Sequence, residues 1–381
     1  MYTQTVLRKS RQDFPRILFL AAAALFICTT WLSLGSLLLG SRSIRGYVSS
    51  HIELTRWAQL AVDHGRSDVF NATLGFEKVF VIGLPERTDK RDALSLMASM
   101  TGFRLTWIDG VRGSSIPDKA LPFGWDRKVM PDTNLGSWRS HINAIRLIVE
   151  DGLSSALIME DDMDWDVHLK TQLSQFAPAA QTLEEGFHHN QTLASPSPYG
   201  RDWDLLWLGS CATTFDAQLP EHLRIPEAER DGRQVLIRGD PTVPSEPHVL
   251  GNLSFSWRDY PPRTRVVYVP GDNICSFAYA LIAAGARKAL RYLGLEGQHK
   301  PFDNHLSDLC RLRADGMRCV AVVPSLFVHH RPRGRVSGDS DIGGGSDDVR
   351  ELGFTENILY STRLNLANLI RGLEPEQQWE D

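Results

Sequence analysis

No long run of basic residues occurs in the chain, and its 41 Lys and Arg are outnumbered by 46 Asp and Glu. A net charge of −5 without clustered cations argues against nucleic acid as the main partner. Cysteine is scarce, at five in 381 residues, and no Cys/His spacing suits a structural zinc site. No internal repeat recurs, which excludes solenoids and propellers. Charge itself is missing from one long stretch. The 24 residues from Ile17 to Gly40 contain no Asp, Glu, Lys or Arg.

A span of that length crosses a bilayer as one helix, whereas the apolar core of a secretory signal peptide is shorter. Arg8, Lys9, Arg11 and Arg16 precede it; Arg42, Arg45 and Arg56 follow. This slight basic excess on the N-terminal side orients the span weakly, with the N-terminus cytosolic. Three Asn-x-Ser/Thr sequons, at Asn71, Asn190 and Asn252, all lie beyond the span. The expectation is a single-pass type II protein of the Golgi or ER, held in the membrane by Ile17–Gly40, with residues 1–16 as tail and 41–77 as stem. Cys28 falls in the span. Cys211, Cys275, Cys310 and Cys319 suffice for two disulfides in an oxidising lumen, in any of three pairings.

The globular part is organised around Ser154 to Asp166. Ala156 to Met159 is a short unbroken apolar run, and Glu160, Asp161, Asp162, Asp164 and Asp166 follow at once. Such a run suits a strand buried on both faces of a parallel sheet. Open α/β sheets bind ligands beyond the carboxyl ends of their strands, where these acids fall. Packed carboxylates repel, so a positive partner is expected among them. With water and phosphate oxygens they suit Mg²⁺ or Mn²⁺.

Strand and helix patterns alternate on either side. Lys78 to Leu84 reads as a strand, and a helix capped by Thr88 follows to about Thr101. Phe103 to Ile108 reads as a second strand. Ser137 caps a helix whose stripe is Trp138, Ile142, Ile145 and Val149, stopped by Gly152. A helix over about 167–180 and a strand over 203–209 come next. This alternation predicts a mostly parallel sheet with helices on both faces. Residues 213–262 are proline-rich and read as a loop-rich insertion. Strands at 265–269, 276–282 and 318–323 and helices at 283–293 and 301–312 complete the domain, placed at 78–335. The glycine-rich stretch 331–348 reads as mobile, and 356–371 as a closing helix in a C-terminal extension, 336–381.

Four segments in order carry a family resemblance. Val79 to Arg91 resembles the opening of glycosyltransferase family 25, which includes lipooligosaccharide and collagen galactosyltransferases. Gly83-Leu84 replaces the usual Asn-Leu, while Arg87, Asp89 and Arg91 match in kind. Gly136-Ser-Trp-Arg-Ser-His141 resembles the family's Gly-x-x-x-Ser-His, with Trp138 where Cys is common. Leu157 to Asp162 resembles its Ile-Leu-Glu-Asp-Asp, and Trp203 to Gly209 its Trp-Asp-x-x-x-Leu-Gly. Phe302-Asp303 resembles a later segment, so the likeness covers roughly 78–330.

The resemblance implies a GT-A-type, Rossmann-like fold, a UDP-sugar donor, a divalent metal (Mn²⁺ or Mg²⁺) and a glycan or glycoprotein acceptor. It suggests galactose without fixing it. The expected metal ligands are Glu160, Asp162 and a late histidine, His330. Arg87, Arg91, Ser140, His141 and Glu160 are expected to hold the nucleotide sugar, with Ser140 and His141 in the first turn of their helix. Asp303 is the candidate base for the acceptor hydroxyl. Two other functions fit clustered acids: a metal-dependent phosphohydrolase, for which Asp109 is the one obvious extra acid, and a non-catalytic, membrane-anchored sugar-binding protein.

Overall fold

The computed structural model describes residues 67–185, 197–215, 234–250, 260–296, 300–343 and 345–380. The expected membrane span, the tail and most of the stem lie outside these residues. Among the described residues no helix is long and apolar enough to cross a membrane.

Strand β1 (Lys78–Gly83) leads through helix α1 (Thr88–Met100) to β2 (Thr106–Asp109) and α2 (Asp132–Glu150). Then come β3 (Ser155–Glu160), β4 (Met163–Trp165), α3 (Leu169–Glu185), β5 (Leu205–Gly209) and β6 (Ala212–Phe215). Next are β7 (Gln234–Arg238), β8 (Thr264–Tyr268), β9 (Pro270–Ile274), β10 (Ala278–Ile282), α4 (Ala283–Gly294) and α5 (Phe302–Arg311). The chain ends with β11 (Cys319–Val323), β12 (Phe327–His329), β13 (Gly334–Arg335), β14 (Val349–Arg350) and α6 (Leu366–Arg371).

Eight strands form the main sheet in the order β2-β1-β3-β10-β5-β11-β8-β7. Six run one way; β10 and β8 are reversed. The sheet is therefore mostly parallel in direction but mixed in its pairings. Along each strand, alternate residues serve two cores. Val81, Leu157, Met159 and Leu206 face α1 and α3; Phe80, Ile158, Trp207 and Tyr279 face α2, α4 and α5. That period of two buries both faces, so helices cover both. The reversal of β10 has a local consequence. Its first residues lie beside the last residues of β3, with the Glu160 N–H donating to the Phe277 carbonyl at 3.1 Å.

Several boundaries differ from the sequence reading. Helix α2 starts at Asp132, just after Pro131, rather than at Ser137. An acid in the first turn after a proline suits a helix start. Ser140 and His141 thus lie beyond its second turn, and the helix N-terminus is not theirs to offer. Gly136 is required within this helix, because a Cβ there would stand 2.3 Å from the Val111 carbonyl oxygen. The far end is as expected: Gly152 has φ +65°, and the Leu153 N–H reaches back to the Ile148 carbonyl at 3.0 Å. Thr88 is the first helical residue of α1 and not its cap. The stretch 213–262 contributes β7, which pairs with β8 at the sheet edge.

The C-terminal region is bound to the core without a long helix; only Leu366–Arg371 is α-helical. Asp164 and Asp166, both fully buried, explain why. Asp164 accepts hydrogen bonds from Thr355 Oγ1 (2.7 Å), the Arg363 N–H (3.1 Å) and Ser361 Oγ. Asp166 accepts from the Tyr360 N–H at 3.0 Å. Gln378 closes the segment, its amide bonding both to the N–H (3.0 Å) and to the carbonyl (2.7 Å) of Thr355. A buried carboxylate with this many donors is a strong tie. Asp164→Asn converts one acceptor oxygen into a donor facing hydroxyls and N–H groups. Its expected cost is about 2–4 kcal/mol of stability, read from a denaturation curve. An unchanged midpoint would show that the tail docks without it.

Candidate active site

Strand β3 delivers Glu160, Asp161 and Asp162 at its carboxyl end. β12 runs antiparallel beside β4, with His329 opposite Met163, and brings His329 to the first and third acids. His329 Nε2 stands 3.8 Å from Glu160 Oε2 and 3.7 Å from Asp162 Oδ1. These separations are too long for hydrogen bonds. Both imidazole nitrogens of His329 and Asp162 Oδ1 are buried without a hydrogen-bond partner. One atom from each of the three residues lies within 4.8 Å of the others. Unpaired buried polar atoms are rare in native proteins and call for an explanation. Two carboxylates and one imidazole converging on one point can hold a divalent cation.

Glu160 is further held by Ser276, whose Oγ donates to Oε1 at 2.8 Å. Burial alone would raise its pKa, but His141 and His329 on either side carry it well below the usual carboxylate value. His141 is buried, stacked on Phe302 with ring centroids 4.2 Å apart. Its Nδ1 lies 3.0 Å from the Tyr279 hydroxyl, and its Nε2 3.7 Å from Glu160 Oε1. Tyr279, His141 and Glu160 thus form a buried polar chain into the acid cluster.

Asp161 supplies the reason for a glycine at residue 83. A Cβ at residue 83 would lie 2.6 Å from Asp161 Oδ2. Burial pushes the pKa of Asp161 up to about 6, against the pull of Lys90, whose Nζ donates to Oδ1 at 2.9 Å. Lys90 is the expected positive partner of the acids, and the sequence reading did not name it. Burial opposes its charge, yet Asp162 and Asp161 hold its pKa above the ordinary lysine value. Asp341 also accepts from Lys90 Nζ, at 2.8 Å, and from Arg87 Nη1, at 2.6 Å. The glycine-rich stretch expected to be mobile therefore lays a carboxylate across two cations at the site. A cavity of about 190 Å³ opens here, lined by Gly83, Val111, Ser140, His141, Asp162 and Ile342 among others.

The remaining expected site residues separate. Arg87 reaches the site edge, shared between Asp89 and Asp341. Arg91 turns away, donating to the Gly83 carbonyl at 3.0 Å and pairing with Asp109 while its guanidinium covers Trp107. Ser140 is occupied by backbone, accepting from the Val111 N–H and donating to the Gly136 carbonyl. His330, expected as a metal ligand, faces away from Glu160 and Asp162. Its Nδ1 meets Thr355 Oγ1 at 3.0 Å. Asp303 lies in the first turn of α5, accepts the Cys275 N–H at 3.1 Å, and has a pKa raised by burial.

No family model matches the chain. It is similar to procollagen galactosyltransferase 1 of Danio rerio, 25% identical over 149 residues. That alignment covers 36% of this chain and 22% of the relative, so the chain spans about a fifth of the protein it matches. The likeness is to a galactosyltransferase, over a minority of each chain.

Proposed function

We propose that the protein is a metal-dependent glycosyltransferase that moves a hexose, galactose foremost, from a UDP-sugar to a glycan or glycoprotein acceptor. The observation that carries this reading is the Glu160, Asp162 and His329 triangle with its unpaired atoms. The similarity to a galactosyltransferase supports the same class. A GT-A-type assignment agrees with a ligand site at the carboxyl end of β3. The fit to Mn²⁺ or Mg²⁺ rests on an oxygen-rich donor set, and the single imidazole favours Mn²⁺ of the two. Once bound by these three side chains, the cation would neutralise the charge that builds on the departing UDP.

The chain's own residues do the rest. Ser276 and His141 orient Glu160. Arg87 and Lys90 offer positive charge to a diphosphate, which would displace Asp341 from them. Asp303, half-buried and with a pKa raised by burial, would take the acceptor hydroxyl proton. In this reading residues 17–40 anchor the enzyme in the Golgi or ER membrane with the described part in the lumen.

The test is UDP release from a panel of UDP-sugars, with Mn²⁺ and with chelator. Release that requires metal and vanishes in Asp162→Ala is the expected result. Phosphate released from simple esters would make the protein a phosphohydrolase. Binding of UDP-sugars without turnover on any acceptor would leave a sugar-binding protein.

A further inference from the structure

Residues 275 to 277 join β9 to β10, and each of them touches a different part of the site. The Cys275 N–H donates to Asp303 Oδ2 at 3.1 Å. Ser276 Oγ donates to Glu160 Oε1 at 2.8 Å. The Phe277 carbonyl accepts the Glu160 N–H, and its ring lies against His329 with centroids 3.7 Å apart. Three consecutive residues thus reach the base candidate, one acid and the histidine of the metal triangle.

The backbone there is unusual. Cys275 has φ +68°, a left-handed conformation that costs a non-glycine residue roughly 1–3 kcal/mol unless its surroundings enforce it. Two constraints enforce it. The Cys275 carbonyl accepts Trp207 Nε1 at 3.0 Å, from the buried strand β5. Its sulfur is bonded to Cys211, whose own N–H is fixed to the Ile274 carbonyl at 3.0 Å. Cys211 in turn immediately precedes β6, which pairs with β9.

We infer that the Cys211–Cys275 disulfide is a positioning element of the active site, holding the 275–277 turn so that Asp303, Glu160 and His329 face one another. The inference builds on the metal reading above. A second disulfide serves as an internal comparison. Cys310–Cys319 ties the end of α5 to β11, both cysteines are buried, and no described hydrogen bond connects either to Glu160, Asp162, Asp303 or His329.

Mn²⁺ affinity of the full chain, measured calorimetrically, distinguishes positioning from general stabilisation. Cys211→Ala/Cys275→Ala is expected to bind Mn²⁺ about 10- to 100-fold more weakly, the usual range when groups that orient metal ligands are lost. Its far-UV circular dichroism should stay native. Cys310→Ala/Cys319→Ala should melt at a lower temperature and bind Mn²⁺ as the wild type does. Ser276→Ala keeps both disulfides and tests the same contact if the double variant does not fold; it should weaken Mn²⁺ binding, and Ser276→Thr should restore it. A folded Cys211→Ala/Cys275→Ala protein with wild-type affinity overturns the inference alone, as does a Ser276→Ala protein with wild-type affinity where the double variant does not fold. A wild-type chain that takes up neither Mn²⁺ nor Mg²⁺ overturns the metal reading and the inference with it.

Discussion

Lys90→Met is expected to remove about 3–5 kcal/mol of folding stability at neutral pH, the usual result of stripping one partner from a buried ion pair. Lys90 is only about 10% exposed and is the cation closest to Asp161 and Asp162. Methionine fills much of the same volume, so lost charge rather than a cavity sets the effect. The variant should also change how stability depends on pH. Asp161 has a folded pKa of about 6 against 3.8 for the free group, so the folded state binds its proton more tightly. Stability from this group is therefore greatest at low pH and falls as pH rises from 3.8 to about 6. Without Lys90 the folded pKa climbs higher, because burial and Asp162 both raise it and its main opposing charge is gone. Chelator-treated variant protein should keep losing stability above pH 6, where the wild type has levelled. Urea midpoints from pH 5 to 8 show the difference. Curves that run parallel over that range would mean solvent carries the balance instead.

The central strand and its acids were legible because the short, unbroken apolar run Ala156–Met159 suits a buried strand, and Glu160 follows without a spacer. The stripe through Trp138, Ile142 and Ile145 likewise gave α2. Direction was not legible: alternation of apolar residues is the same for a strand read either way, so the reversal of β10 left no trace. Lys90 did leave one. It sits three and four residues before Ala93 and Leu94, and seven before Met97, on the buried stripe of α1. A cation on an apolar stripe, in a chain whose acid cluster needs a counter-charge, was the available signal. Asp164 and Asp166 looked like extensions of the cluster because they continue its spacing. What claims them is Thr355 to Arg363, an irregular segment that the sequence pattern reads as the start of a closing helix. The start of α2 was missed for a local reason: Ser137 is a good cap by type, but Pro131 and Asp132 had already begun the helix.

His329→Ala and His330→Ala should separate cleanly, although the residues are neighbours. His329 ends β12 and His330 follows it in extended continuation, where successive side chains point to opposite faces, so only one of the pair turns toward β3. His329 is the one, with both ring nitrogens unpaired and Asp162 Oδ1 at 3.7 Å. Its removal is expected to weaken Mn²⁺ binding by about 100-fold, at least as much as loss of a group that merely orients a ligand. Stability of the chelator-treated protein should fall only modestly, through lost packing on Phe277 and the lost pull on Glu160, since neither ring nitrogen makes a hydrogen bond. His330 presents the opposite case. It hydrogen-bonds Thr355, its neutral form is favoured by burial, and its N–H holds the Asp162 carbonyl at 2.9 Å, a contact that alanine keeps. His330→Ala should therefore lower the melting temperature through the C-terminal segment and leave Mn²⁺ affinity within a few-fold of wild type. Calorimetric Mn²⁺ titrations and thermal melts on both variants decide it. A large affinity loss in His330→Ala with none in His329→Ala would move the metal off the triangle and onto the other face of β12, where Asp164 is already saturated by hydroxyl and N–H donors.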